Sequence, residues 1–209
     1  MAELLLDEQG FPSTPSAGKM LAYPDSSNSQ WAQRNDDGLF LGDMNKARIT
    51  QIASHSADTY YGVGLQLPSF SMQPGMFFEW IFAATKGAAG TATPVYTVRI
   101  GPNQSTADTS RLAFTGPAQT AAADTALVRV IMTVRSVGVA GVMQGLVHMQ
   151  HNLAATGFAA TGPAGYTLIQ ATSAGFDNTA LQGQFIGLSV NPGASGAWVV
   201  EQVIARCWY

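Results

Sequence analysis

The sequence predicts an all-β fold, a sandwich or barrel of antiparallel strands behind an extended N-terminal arm. Short apolar stretches recur from about residue 49 onward, separated by clusters of Gly, Pro, Asn and Asp, which is the spacing of a sandwich or barrel. One long stretch alternates between apolar and polar residues, and no stretch has a sustained helical period. Residues 1–48 lack this strand pattern, so we expect an arm at 1–48 and a β body at 49–209.

The arm is rich in residues that form turns. It contains Pro12, Pro15 and Pro24, the polar run Asp25–Gln30 and the turn sequence Asn35–Gly38. A segment with so few periodic apolar positions cannot supply its own core, so we expect it to gain order from a neighbouring molecule.

A small hairpin is predicted inside the arm. Met20–Tyr23 and Leu39–Leu41 lie on either side of the Asp37–Gly38 turn, and Trp31 is the one large side chain between them. Asp-Gly between two apolar stretches is typical of a hairpin turn. We therefore expect these two stretches to pair, with Trp31 as their anchor.

The clearest strand of the body is Leu127–Val137. Its even-numbered positions from 128 to 134 are apolar, whereas its odd-numbered positions include Arg129, Thr133 and Arg135. One face of this strand is therefore expected to lie in the core and the other to be wetter. The other predicted strands are Tyr61–Leu67, Met76–Ala84, Val95–Gly101, Arg111–Thr115, Val142–Asn152, Tyr166–Thr172, Gln184–Asn191 and Ala197–Trp208.

The composition predicts a surface that is covered by a partner. Only 11% of the residues are charged, against about 25% in an average soluble domain. The strand Met76–Ala84 has bulky apolar side chains on both sides, and the chain ends in an aromatic pair. We therefore expect Phe78, Trp80, Trp208 and Tyr209 to lie in a subunit interface.

Charge and hydropathy disfavour nucleic-acid and membrane partners. The formal net charge is −3, and the ten basic residues are scattered singly, so no basic stripe is available to follow a phosphate backbone. The N-terminus carries acids where a secretion signal needs bases. The longest apolar block, Met76–Ala84, is far shorter than the roughly 20 residues of a membrane helix, and we expect a soluble chain.

The residues that could carry chemistry are few and dispersed. Cys207 is the single cysteine, so no cysteine-based metal site can form. His148 and His151 are three positions apart on a predicted strand and should point to opposite faces. His55 lies near Asp58 and two serines, without the strained elbow that presents a nucleophile. We predict no metal, no cofactor, no catalytic residues and no enzymatic activity; a depolymerase would require a pair of carboxylates in a cleft.

The sequence resembles bacteriophage virion proteins of the fibre, head-fibre, spike or capsid-decoration type. Thr14–Tyr23 followed by Asn35–Gly38 is similar to the P-x-A-G-K … L-Y … D-D-G openings common in phage structural proteins, with Ala22 standing between Leu21 and Tyr23. The stretches that resemble the β-rich body of such proteins are Val95–Gly101, Ser105–Ser110, Thr133–Arg135, His151–Gly157, Ala174–Asp177 and Leu188–Gly193.

The resemblance implies a jelly-roll-like body and a homotrimer on the exterior of the virion, assembled in the host cytoplasm. It also implies that the arm attaches the trimer to other virion proteins of the capsid, neck or tail. The arm residues assigned to attachment are Pro15, Gly18, Lys19, Leu21, Tyr23 and Trp31. The alternative is a receptor-binding module for host surface glycans, which exposed aromatic residues gathered in a shallow groove would favour.

Overall fold

The computed structural model describes residues 20–25, 30–35, 44–48, 52–62, 64–67, 71–160, 166–193 and 197–208. Within these ranges the secondary structure consists of strands, and no helix occurs. The strands are β1 (Met20–Asp25), β2 (Gln30–Asn35), β3 (Met44–Arg48), β4 (Ile52–His55), β5 (Thr59–Tyr60), β6 (Leu65–Gln66), β7 (Phe77–Lys86), β8 (Val95–Gly101), β9 (Thr109–Thr115), β10 (Asp124–Ser136), β11 (Val142–His151), β12 (Tyr166–Thr172), β13 (Phe185–Asn191) and β14 (Trp198–Trp208).

Two antiparallel sheets form the body. The large sheet has seven strands in the order β12-β11-β10-β7-β14-β3, and β4 also pairs with β14. The small sheet has five strands in the order β5-β13-β8-β9, and β6 also pairs with β13. One hydrophobic core contains side chains from both sheets. The prediction of an all-β antiparallel sandwich is confirmed.

The strand pairs of the body are nested. The first strands of the body pair with its last strands, and the pairs between them join strands that are successively closer in the sequence. Strand β4 pairs with β14, β5 and β6 pair with β13, β7 pairs with β10, and β8 pairs with β9. Strands β11 and β12 form an additional antiparallel pair at the edge of the large sheet. The jelly-roll detail of the fold stays a prediction.

The core is built from alternate positions of the strands. In β7 the even-numbered residues Phe78, Trp80 and Phe82 are at most 1% exposed, because successive side chains of a strand point to opposite faces. From the small sheet, Val98 and Leu188 enter the same cluster. The prediction that Phe78 and Trp80 form a subunit interface is corrected: the chain's own second sheet covers them.

The arm contains a hairpin, but not the predicted one. Met20–Asp25 pairs with Gln30–Asn35, and Pro24 lies opposite Trp31. Four residues with turn-forming side chains, Ser26–Ser29, connect the two strands, and so short a connection costs little closure entropy. This corrects the predicted pairing with Leu39–Leu41, which lies outside the described residues.

The last five residues of the predicted arm join the body. In β3, Met44 lies opposite Cys207 and Arg48 lies opposite Val203, so β3 extends the large sheet beyond β14. The division into an arm and a body at residue 48 stays a prediction. The strand pairing favours a boundary just before Met44.

A β-bulge in β14 determines which of its side chains reach the core. Glu201 lies opposite Ala83 and Ile204 opposite Ile81, so β14 has one extra residue at this point. Gln202 has a φ of 55° there. The extra residue inverts the alternation, so Cys207 points into the core, whereas Arg206 and Trp208 lie on the opposite face of the sheet.

Candidate functional site

The face of the large sheet that points away from the small sheet is the most distinctive surface of the described residues. We call it the outer face. Strand alternation and register place on it apolar, aromatic and polar side chains, with the buried Glu79 between Arg129 and Arg206. Its apolar and aromatic members are Phe77, Ile81, Leu127, Ile131, Leu146, Leu168, Ile204 and Trp208, and its polar members include Thr133, Gln144, His148, Gln170 and Glu201.

The apolar side chains of the outer face are accessible. Leu127 is 52% exposed and Leu168 is 50% exposed, and both are among the few large hydrophobic residues that the structure leaves exposed. Ile81, Ile131 and Ile204 are half-buried among their neighbours. Large apolar side chains exposed on one face of a sheet make that face a candidate interaction surface.

Glu79 lies at the centre of the outer face and is completely buried. Arg129 Nε donates to its Oε1, and Arg206 Nε donates to its Oε2. Both guanidinium groups are partly exposed, at 43% and 35% of their side chains. The two arginines therefore cover the carboxylate and offset the cost of removing it from water.

An aromatic pair closes one end of the outer face. The rings of Phe77 and Trp208 lie 4.4 Å apart between centroids and are tilted by 38°, within the range of a favourable aromatic contact. The Arg206 guanidinium lies 5.3 Å from the Trp208 ring centroid, a cation-π distance. Trp208 therefore lies on the outer face, and its assignment to a subunit interface stays a prediction. Tyr209, the other terminal aromatic residue of that prediction, lies outside the described residues.

The predicted attachment residues divide into two groups. Pro15, Gly18 and Lys19 lie outside the described residues. Leu21 and Tyr23 belong to β1, and Trp31 belongs to β2, so the hairpin backbone brings these three positions together. Their assignment to virion attachment stays a prediction.

The two neighbouring histidines diverge, as expected. His148 lies on the outer-face side of β11, whereas His151 lies on the core side and is 5% exposed. His151 Nδ1 is 3.0 Å from the carboxylate of Asp124, which also accepts a hydrogen bond from the Phe158 amide. Among the described residues, no three His, Cys, Asp or Glu side chains come together as metal ligands would.

His55 and Asp58 do not form a catalytic arrangement with each other. The His55 ring contacts Tyr61 edge-on at 5.8 Å, and Asp58 forms an ion pair with Arg99 at 2.6 Å. Burial lowers the pKa of His55, although backbone hydrogen bonds at Ala53 and Trp198 act in the opposite direction.

Sequence reasoning missed the buried Lys86. Its Nζ donates to the carbonyl oxygens of Gly87, Ala89, Thr120 and Ala122 at 2.7–3.3 Å, and the side chain is completely buried. Burial lowers its pKa, and the charge of Asp124 acts in the opposite direction. The even position of Lys86 in β7 could have predicted its inward direction, but the loops that surround it come from distant parts of the sequence.

Comparisons with known families and curated proteins return no match for this chain: no protein-family model matches it, and a search of curated proteins finds no significant match. None of the described residues form a helix that is long and apolar enough to cross a membrane.

Proposed function

We propose that this chain is a non-enzymatic structural protein of a bacteriophage particle, a fibre, spike or decoration protein on the virion exterior. In this proposal it assembles as a homotrimer and is attached through its N-terminal arm. The proposal that the chain assembles as a trimer rests on the outer face of the large sheet. Phage origin and virion location are supported by the resemblance of the arm and body sequences.

The outer face suits a second copy of the chain better than a soluble ligand. Apolar side chains spread over the five adjacent strands β12, β11, β10, β7 and β14 give a broad surface, and the half-exposed Leu127 and Leu168 lie on it. Burial of such a surface stabilises an assembly by roughly 25 cal/mol per Å² of apolar area. The low fraction of charged residues, 11%, fits a chain that hides part of its surface in an oligomer.

The buried carboxylate contributes specificity to this surface. Glu79 accepts a hydrogen bond from Arg129 and another from Arg206, which fixes the positions of the two guanidinium groups among the apolar side chains of this face. We infer that the ion cluster fixes the orientation in which subunits pack, since misplaced partners would leave charges without hydrogen bonds.

Attachment is assigned to the arm because residues 1–43 are unlike the body. Seven acids and two bases in this segment, Lys19 and Arg34, give a formal charge of 2 − 7 = −5. An arm that orders on its target spreads contact over a large area at the cost of conformational entropy. Three arms in one trimer would offset that cost by avidity.

A truncation tests attachment separately from folding. Deleting residues 1–43 should leave β3 and the sandwich intact while abolishing binding to purified virions. Circular dichroism reports the strands, and cosedimentation with virions reports attachment. Labelled full-length chain should decorate the particle exterior in electron micrographs. Virion binding by the truncated chain, or failure of the full-length chain to bind, would overturn the attachment role.

A further inference from the structure

A cavity of about 330 Å³ lies at one end of the small sheet. The loop 102–108 forms one wall, and Leu181 and Gln184, just before β13, form another. The full lining is Ile100, Gly101, Pro102, Asn103, Ala107, Asp108, Thr109, Arg111, Leu181 and Gln184. Its volume is at the lower end for ligand sites, which suits a ligand of one small ring.

The loop wall is held in place by a buried carboxylate. Asp108 is 3% exposed; its Oδ1 accepts hydrogen bonds from the amide and side-chain nitrogens of Asn103 at 3.0 Å, and its Oδ2 accepts one from the Ser105 amide at 3.3 Å. The carboxylate rests on Gly101, where a Cβ atom would lie 2.3 Å from Oδ1. The wall is therefore preformed.

Arg111 is the extra residue of a β-bulge. Val98 lies opposite Leu112 and Arg99 lies opposite Ser110, so Arg111 has no partner residue on β8. Bulges redirect side chains and are frequent beside functional sites. Here the Arg111 side chain lines the cavity, and its guanidinium carbon lies 4.5 Å from the ring centroid of Phe176.

The guanidinium of Arg111 differs from those of the other arginines whose side chains are described. Arg99, Arg129 and Arg206 each bind a carboxylate, and Arg135 donates to Gln144. The Nε of Arg111 is buried and has no hydrogen-bond partner among the described residues. A buried donor without an acceptor is costly and uncommon in native proteins, so the Arg111 guanidinium has hydrogen-bonding capacity that the described residues do not use.

We propose that this cavity binds the carboxylate of an acidic monosaccharide unit, with Arg111 as the residue that holds the carboxylate. A guanidinium matches a carboxylate in a planar, bidentate arrangement. The side chains of Asn103, Thr109 and Gln184 line the cavity and are of the types that bind hydroxyl groups. The negative charge of Asp108 in the same wall repels a doubly charged phosphate group about twice as strongly as a singly charged carboxylate, so the cavity favours the carboxylate of the two anions.

This binding role goes beyond the proposed assembly and does not depend on it. The cavity lies on the small sheet, whereas the outer face belongs to the large sheet. A trimer without sugar binding, or sugar binding without a trimer, would each be a clear result for one proposal and against the other.

Titration calorimetry of the full-length chain with glucuronate, glucose and inorganic phosphate tests the proposal. We expect glucuronate to bind and the other two to bind at least about tenfold more weakly. Arg111→Gln should weaken glucuronate binding roughly ten- to hundredfold, the range for losing a hydrogen bond to a charged group. Arg135→Gln is the matched control, because Arg135 is also the extra residue of a bulge, between Val134 and Ser136 of β10, and it should bind glucuronate like the parent chain.

Three results would overturn the proposal: no glucuronate binding, equal binding of glucose or phosphate, or unchanged binding by Arg111→Gln. If Arg111→Gln does not fold, as judged by circular dichroism, Arg111→Lys replaces it. Lysine keeps the charge but lacks the bidentate fork, so glucuronate binding should still fall about tenfold. Unchanged binding by that variant would also count against the proposal.

Discussion

The two sheets differ in what covers the face that points away from the core. On the small sheet, Ser189 is completely buried and Arg99 is only 14% exposed, because Arg99 binds Ser189 at 2.8 Å and Asp58, from the segment before β5, at 2.6 Å. On the large sheet, Leu127 and Leu168 remain half exposed. The chain thus covers the polar face of the small sheet with its own side chains, whereas the corresponding face of the large sheet keeps two large apolar side chains accessible.

The largest effect is expected from a substitution on the inner side of β7. Trp80→Ala should lower the free energy of unfolding by about 3–5 kcal/mol, because a fully buried tryptophan leaves a large cavity. Urea unfolding at two protein concentrations measures it. The loss should be the same at both concentrations, since Trp80 contacts the chain's own core. A variant that folds normally but loses its oligomeric state would show that Trp80 lies in an interface after all.

A smaller loss is expected when the buried carboxylate loses one of its arginines. Arg206→Gln should destabilise the fold by about 2–4 kcal/mol, since Glu79 remains completely buried with one guanidinium instead of two. Arg135→Gln, an exposed arginine bound to Gln144, is the matched control and should change stability by about 0.5 kcal/mol or less. Thermal and urea unfolding of both variants measure the change in the free energy of unfolding. Equal losses in Arg206→Gln and Arg135→Gln would contradict a central role for the Glu79 cluster.

The strands and the core could be predicted from the sequence, because local alternation and turn residues specify them. The predicted Arg111–Thr115, Val142–Asn152 and Tyr166–Thr172 fall within two residues of β9, β11 and β12. The alternation of side chains along β7 also indicated that Phe78 and Trp80 lie on the same face of the strand. The prediction went wrong in assigning them to a partner, because the sequence does not show that a second sheet of the same chain covers that side.

The candidate sites could not be predicted, since they depend on single extra residues. The bulge at Gln202 turns Arg206 toward Glu79, and the bulge at Arg111 turns its guanidinium toward Phe176. A bulge has little sequence signature, yet it inverts every side chain that follows it. The hairpin of the arm was predicted with another partner strand, because the Asp37–Gly38 turn signal was given more weight than the turn-forming residues Ser26–Ser29.

The smallest effect is expected from pH. Burial lowers the pKa of His55 below the ordinary histidine value of 6.5, so the unfolded chain binds a proton more readily than the folded one. Stability should therefore fall as the pH decreases through 6.5 toward the lower, folded pKa. The variant His55→Gln should lose part of this slope in thermal melts between pH 8 and pH 5. A slope identical to that of the parent chain would assign the effect to other groups.

The most direct test of the assembly through the outer face is the mass of matched variants in solution. Multi-angle light scattering of the parent chain should give three times the 21.9 kDa of one chain. Leu168→Glu places a charge on the outer face and should yield monomers, whereas Val139→Glu, at an 80% exposed position in the β10–β11 turn, should remain trimeric. A parent mass of 21.9 kDa at all concentrations, or a trimer that tolerates Leu168→Glu, would contradict assembly through this face.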